Sequence, residues 1–263
     1  MTMTRNQHFI PRFYQKYWEC EKQGHLWSYD KKLKTICKRP ITANCSEDYL
    51  YEADVDNPDN AMEHWFGKFE TLYSGRYKKL ITSRTCISTL SEKDKILICK
   101  FFSNFSARNP KNVYDNPENN LLAARFTLGI EDKKIDRRSI NLLLATTEGG
   151  MDELFSPKEE ILGDFEETLR SCKVQLLYTD EPKIVFCDSI VKEVSCAGEC
   201  FFPLCPNMVA HFSWDKNVED RTVRRMTDEQ YRRFILLYTR SRLVKRIYAQ
   251  SKDVLEKIIR RAY

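Results

Sequence analysis

The stretch SEKDKILICKFFSNFSARNP, residues 91–110, restricts the fold of this chain more than any other segment. Ser91 can cap a helical turn with Asp94 three residues on, and Pro110 helps to stop the same helix. Between them Ile96, Leu97, Phe101, Phe102 and Phe105 fall on one face, so the spacing predicts a helix with an aromatic face that must be buried. A second helix is predicted just upstream, where AMEHWFGKFETLYSGRYKKL places Met62, Trp65, Phe66, Phe69, Leu72 and Tyr73 on one stripe.

Strand signals flank this helical part. HLWSYDKKLKTICKR alternates apolar and polar residues around Leu26, Trp27 and Tyr29 and then turns at Asp30 to Lys32, the pattern of a β-hairpin. KVQLLYTDEPKIVFCDSIVKEV holds two short apolar runs separated by Thr179 to Pro182 and reads as paired strands, with a further strand over Met208 to Phe212. Between residues 111 and 160 two turn-rich stretches, VYDNPENN and TTEGGMDELFSP, bracket weaker helical periodicity. Thr227 with Gln230 has the form of a capping box, and Tyr231, Phe234, Ile235, Tyr238, Val244, Ile247 and Tyr248 then recur at helical spacing. Past a turn at Ser251, the residues Val254, Leu255, Ile258 and Ile259 predict a second C-terminal helix. The expected architecture is α+β: an N-terminal hairpin, a helical middle, a small mostly antiparallel sheet over residues 173–212, and C-terminal helices covering one face.

With 263 residues, 42% of them hydrophobic and 31% charged, the chain can bury a large core as one globular unit of one or two lobes. No apolar run approaches the roughly 18 to 20 residues that cross a bilayer, and the opening MTMTRNQHFIPRFYQ has no secretory hydrophobic region. The expectation is a soluble cytoplasmic protein. Its 10 cysteines then read as reduced thiols, and Cys196, Cys200 and Cys205 lack the spacing of a zinc site. No GxGxxG or P-loop occurs around the isolated pair Gly149 and Gly150, which argues against those modes of nucleotide binding.

The run NQHFIPRFYQKYW followed by LWSYDKK resembles the opening of a bacterial protein family of unknown function, DUF4238. Four further pieces are similar to that family in the same order: Glu63 with Glu70, Arg108 with Pro110, Asp188 at a strand end, and PLCP from Pro203 to Pro206. Family members often resemble Ser-Asp-x-Pro at the strand end, where this chain has Cys187, Asp188, Ser189 and Ile190. Cys205 stands where a serine is frequent and looks like a neutral replacement. The resemblance spans nearly the whole chain and implies no established reaction.

Glu63 and Glu70 lie seven residues apart on a predicted helix, about 20 degrees apart around its axis and roughly 10 Å along it. With Asp188 and His8 they form a candidate catalytic set suited to metal-assisted phosphodiester hydrolysis, in which Glu63, Glu70 and Asp188 would hold Mg²⁺ or Mn²⁺. Each has a plainer role: a salt-bridged or solvated glutamate, a hydrogen-bonded structural His8, and an Asp188 that caps a turn by binding backbone N–H groups. Arg12 and Arg108 suit bidentate phosphate binding or equally the holding of one of these carboxylates. From Arg221 to Tyr263, ten Arg and three Lys face four acidic residues, so Arg232 and Arg240 are candidate phosphate contacts to DNA or RNA. The same segment also fits an amphipathic helix with a solvated basic face. Three functions follow: a nucleic-acid-directed hydrolase of the toxin or defence type, a non-catalytic nucleic-acid or protein-binding module, and a regulatory subunit that needs another protein.

Overall fold

The structure, a computed structural model of the chain, describes residues 4–21, 24–51, 56–58, 60–82, 88–108, 169–189, 198–241 and 244–262. The stretch 111–160, expected to hold turns and weak helical periodicity, lies outside the described residues, as does Pro110. The described part is α+β.

Its centre is the predicted helix at Glu92–Arg108, which follows the short helix α1 (Arg12–Gln15) and the long α2 (Ala61–Thr82) and is therefore α3. Ser91 starts α3 reciprocally with Asp94: its Oγ accepts the Asp94 N–H at 3.1 Å, and the Asp94 carboxylate accepts the Ser91 hydroxyl at 2.6 Å. Leu97, Ile98, Cys99, Phe101, Phe102 and Phe105 are buried, and so are the polar Lys95, Ser103, Asn104 and Ser106. Burial on all sides means that other elements surround α3. On one side lies α2, whose Phe69 and Tyr77 meet Phe101 at ring separations of 5.4 and 4.7 Å. The buried stripe of α2 runs through Phe66, Phe69, Tyr73, Tyr77 and Leu80, and it leaves Leu72 52% exposed. Leu72 had been expected in that stripe, but it stands 100 degrees around the axis from Tyr73 and faces outward.

On the other side of α3 stands a four-stranded sheet in the order β7 (Glu199–Cys205), β8 (Met208–Ser213), β5 (Lys173–Tyr178) and β9 (Thr222–Arg225). Its pairings are antiparallel except β5 with β9, which is parallel. Phe202 stacks on Phe102 at 5.0 Å, and Phe212 meets the same ring at 5.3 Å. The opposite face of the sheet takes α4 (Asp228–Thr239), with Phe201 against Phe234 at 5.7 Å. Thr227 caps α4 through the full capping box with Gln230.

A second sheet has the order β3 (Thr35–Pro40), β2 (His25–Asp30), β10 (Arg246–Ala249) and β6 (Phe186–Cys187). The predicted N-terminal hairpin is β2 with β3. Two expectations change here. The apolar runs on either side of Thr179 to Pro182 are strands, but β5 and β6 enter different sheets instead of pairing with each other. The helical spacing through Val244, Ile247 and Tyr248 also breaks, since α4 ends at Thr239 and β10 follows, paired with β2 from Arg246↔Asp30 to Ala249↔Trp27. Here the burial of Ile247 and Tyr248 between two neighbouring strands outweighs helical periodicity. The last helix, α5 (Lys252–Ala262), buries Leu255 and Ile258 as expected. A small pair, β1 (Asn6–His8) with β4 (Ser46–Asp48), closes the N-terminal part. No helix among the described residues is long and apolar enough to cross a membrane.

Candidate functional site

The ends of β1 and α3 and the N-terminal half of α2 meet at Arg108. This last residue of α3 has a side chain only 1% exposed, and one of its guanidinium nitrogens donates to Glu70 Oε1 at 2.6 Å. The other terminal nitrogen donates to the backbone carbonyl of His8 at 2.6 Å, and the guanidinium lies 4.3 Å from the centre of the Phe66 ring. Tyr51 completes the junction, its hydroxyl lying 3.3 Å from the carbonyls of both His8 and Arg108, with one proton to share between them. The Tyr51 backbone N–H in turn donates to Gln7 Oε1 at 2.7 Å. Burial favours the neutral form of Arg108, but Tyr51 and Glu70 outweigh it and hold the guanidinium charged. Burial pushes the Tyr51 phenol up; Arg108 opposes that rise, while Glu63 and Glu70 add to it.

His8 is buried beside this junction, with Nε2 3.3 Å from the Ile41 carbonyl. Burial lowers its pKa to about 4; the Ile41 carbonyl works against the drop, and the charges on Arg12 and Arg108 reinforce it. The imidazole is therefore neutral at pH 7, and the Ile41 contact makes Nε2 the protonated nitrogen. Three residues singled out in sequence, His8, Glu70 and Arg108, thus meet at this junction, and Glu63 acts on it through its charge on Tyr51. Arg12 is exposed on α1 and reaches the group only through its charge on His8.

Asp188 is placed differently. Its Oδ1 accepts the backbone N–H of Lys245 at 3.0 Å, and its own N–H donates to the Arg246 carbonyl, so it joins the end of β6 to the start of β10. The PLCP run is also structural: the carbonyls of Pro203 and Leu204 accept the hydroxyls of Tyr14 and Tyr77. Cys205 Sγ lies 3.1 Å from Asn207 Oδ1, a contact that a serine hydroxyl would make equally well.

Part of the positive charge of the C-terminal segment is paired with carboxylates elsewhere in the chain. Arg221 pairs with Glu92, Arg225 with Asp180, Arg233 with Glu199, and Arg246 with Asp30. Arg232 is exposed on α4, and the exposed Arg240 follows its last turn. A denser positive surface lies elsewhere, in a cleft of about 450 Å³ between α2 and α3. Arg76 and Lys79 from α2 and Lys93 and Lys100 from α3 line it, and among the described lining residues Asp94 is the one carboxylate.

Sequence reasoning missed three features. Tyr51, the hub of the junction, sits in a polar loop without periodicity. Asn104 is fully buried one turn before Arg108, and neither of its amide atoms has a hydrogen-bond partner. Across the first sheet, Glu199 joins the His211 Nε2 at 2.9 Å to Arg233 at 2.7 Å, beneath α4. Burial works to raise the Glu199 pKa, but the bond to His211 and the charges of His211 and Arg233 hold it below the usual range. The only local signal for that pair was alternation on β7 and β8, which puts Glu199 and His211 on one face.

Among the described residues no three His, Cys, Asp or Glu side chains are grouped to hold a metal ion. A divalent ion at Glu63 or Glu70 would draw its remaining ligands from water and from a bound phosphate, as Mg²⁺ commonly does. No curated protein and no solved structure is a significant match to this chain. The model of the protein family of unknown function DUF4238 matches residues 6–253, and the chain belongs to that family.

Proposed function

We propose that this chain is a bacterial nucleic-acid-directed hydrolase of the kind that serves as a toxin or defence effector, with Glu63 and Glu70 on the reacting side and His8 and Arg108 positioning them. The observation that carries this reading is the meeting of Glu70, Arg108 and the His8 backbone, from three elements distant in sequence, beside Tyr51, with the charge of Glu63 acting on the same phenol. Glu70 keeps 26% of its side chain exposed while Arg108 fixes it from behind, so its carboxylate can meet water; Glu63 is half-buried, with its Oε2 shielded from solvent. In such a site a carboxylate takes a proton from water, the water oxygen bonds to phosphorus, and the P–O bond to the leaving sugar oxygen breaks as that oxygen gains a proton. A divalent ion would supply charge neutralisation on the phosphate oxygens. Purified protein incubated with labelled single-stranded DNA, duplex DNA and RNA in Mg²⁺, Mn²⁺ and EDTA tests the reading. Cleavage that disappears in Glu63→Gln and Glu70→Gln supports it, and intact substrates throughout at enzyme excess refute it.

A second reading, a nucleic-acid-binding module without chemistry, draws on the near-complete burial of His8 and Arg108. Under that reading the junction is a clasp between β1, α2 and α3. It expects salt-sensitive binding with no cleavage, and Glu70→Gln then lowers stability without changing affinity.

A further inference from the structure

We infer that the cleft between α2 and α3 is a binding site for the phosphodiester backbone of a single nucleic-acid strand. This rests on the nucleic-acid-directed reading above and gives it a location other than the C-terminal segment. On α2, Tyr73, Arg76 and Lys79 follow one another at three-residue steps. On α3, Lys93, Ile96, Leu97 and Lys100 form one stripe facing them. Among the described residues, two helical stripes thus put four cations and one carboxylate around a single hollow. The carboxylate, Asp94, is already committed to the cap with Ser91. Arg76, Lys79 and Lys93 are exposed, whereas Lys100 is 5% exposed and fixes one cation at the base. The first turn of α3, capped by Ser91, brings the positive end of a 17-residue helix to the same hollow.

The shape selects the occupant. A volume of about 450 Å³ is that of a small-ligand cleft and admits one backbone with its sugars, not a duplex about 20 Å across. Sequence-independent binders of single strands use this combination of a concave surface and clustered cations.

The test is fluorescence anisotropy with a labelled 20-nucleotide single strand, as DNA and as RNA, and with the matching DNA duplex, over a series of salt concentrations. Wild type is compared with Arg76→Ala/Lys79→Ala/Lys93→Ala and with Arg232→Ala/Arg240→Ala, each checked for an unchanged thermal unfolding midpoint. The expected result is a wild-type preference for one or both single strands, with affinity lowered at least about tenfold in the cleft variant and retained in the C-terminal variant. Loss of three phosphate contacts should also flatten the slope of log K against log salt by about 2. Binding that the cleft substitutions leave unchanged, or a preference for the duplex, overturns the inference while leaving the nucleic-acid reading in place. Absence of binding by wild type to every probe at low salt overturns the reading on which it rests.

Discussion

Removing the Glu70 carboxylate should cost more stability than its partial exposure suggests, because it strands a buried guanidinium. The bond between Arg108 and Glu70 is charge-assisted and short, at 2.6 Å, a class worth about 1.5 to 3 kcal/mol. Without it, Arg108, 1% exposed, keeps among the described residues the His8 carbonyl, the Phe66 face and Tyr51. Breaking a fully buried pair from one side costs about 3 to 5 kcal/mol. Because 26% of the Glu70 side chain faces water, the lower end applies, and Glu70→Ala should destabilise by about 3 kcal/mol. Arg108→Met removes the cation but keeps much of its volume. Glu70 then turns to solvent and the His8 carbonyl retains the Tyr51 hydroxyl, so the expected cost is about 2 kcal/mol. Once Arg108 is Met, losing Glu70 should matter little, and the double variant should show a coupling of about 3 kcal/mol. Urea unfolding of the four proteins at pH 7, read as shifts in midpoint, measures this cycle. Single effects that add to within about 0.5 kcal/mol would refute the clasp.

The buried neutral His8 predicts a specific pH response. Its pKa falls from 6.5 to about 4 on folding, so the unfolded chain binds the extra proton first, and stability is lost as pH drops from about 6.5 toward 4. The full loss amounts to at most about 3 kcal/mol, and the difference in midpoint between wild type and His8→Asn should shrink over that window; a constant difference would contradict a neutral His8. Thr227→Ala should cost about 1 kcal/mol by removing the α4 cap, while Thr227→Ser should recover most of it in the same unfolding assay. Phe102→Ala, which empties the space between Phe202 and Phe212, should cost about 3 to 5 kcal/mol, and a loss below about 1 kcal/mol would mean that α3 does not rest on that sheet.

Local signals in the sequence were reliable where one turn or one stripe decides the structure. The Ser91–Asp94 and Thr227–Gln230 caps, the β2–β3 hairpin and the buried faces of α2, α3 and α5 depend on residues within a few positions of each other. Pairing over long distances was not legible. Nothing within Val174–Leu177 or Val185–Cys187 says that the two runs join different sheets, because apolar strands carry no label for their neighbours. The brief RIYA strand was hidden by a helical pattern for the same reason. At the candidate site, the shared order of His8, Glu70 and Arg108 pointed to residues that meet. Tyr51, Asn104 and the Glu199–His211–Arg233 group lacked any spacing that would have marked them.

The pairing of β10 with β2 also has a consequence for how the protein is made. Arg246 and Asp30 are partners although 216 positions separate them, from 246 minus 30. At a ribosomal pace of about 5 to 20 residues per second, the N-terminal hairpin must wait on the order of 10 to 40 seconds for its central neighbour to be synthesised. Throughout that interval the inner edge of β2 is an open template for other strands. A nascent chain truncated before Arg246 can never close that edge, so premature termination late in the message should yield aggregates and not a slightly shortened native protein.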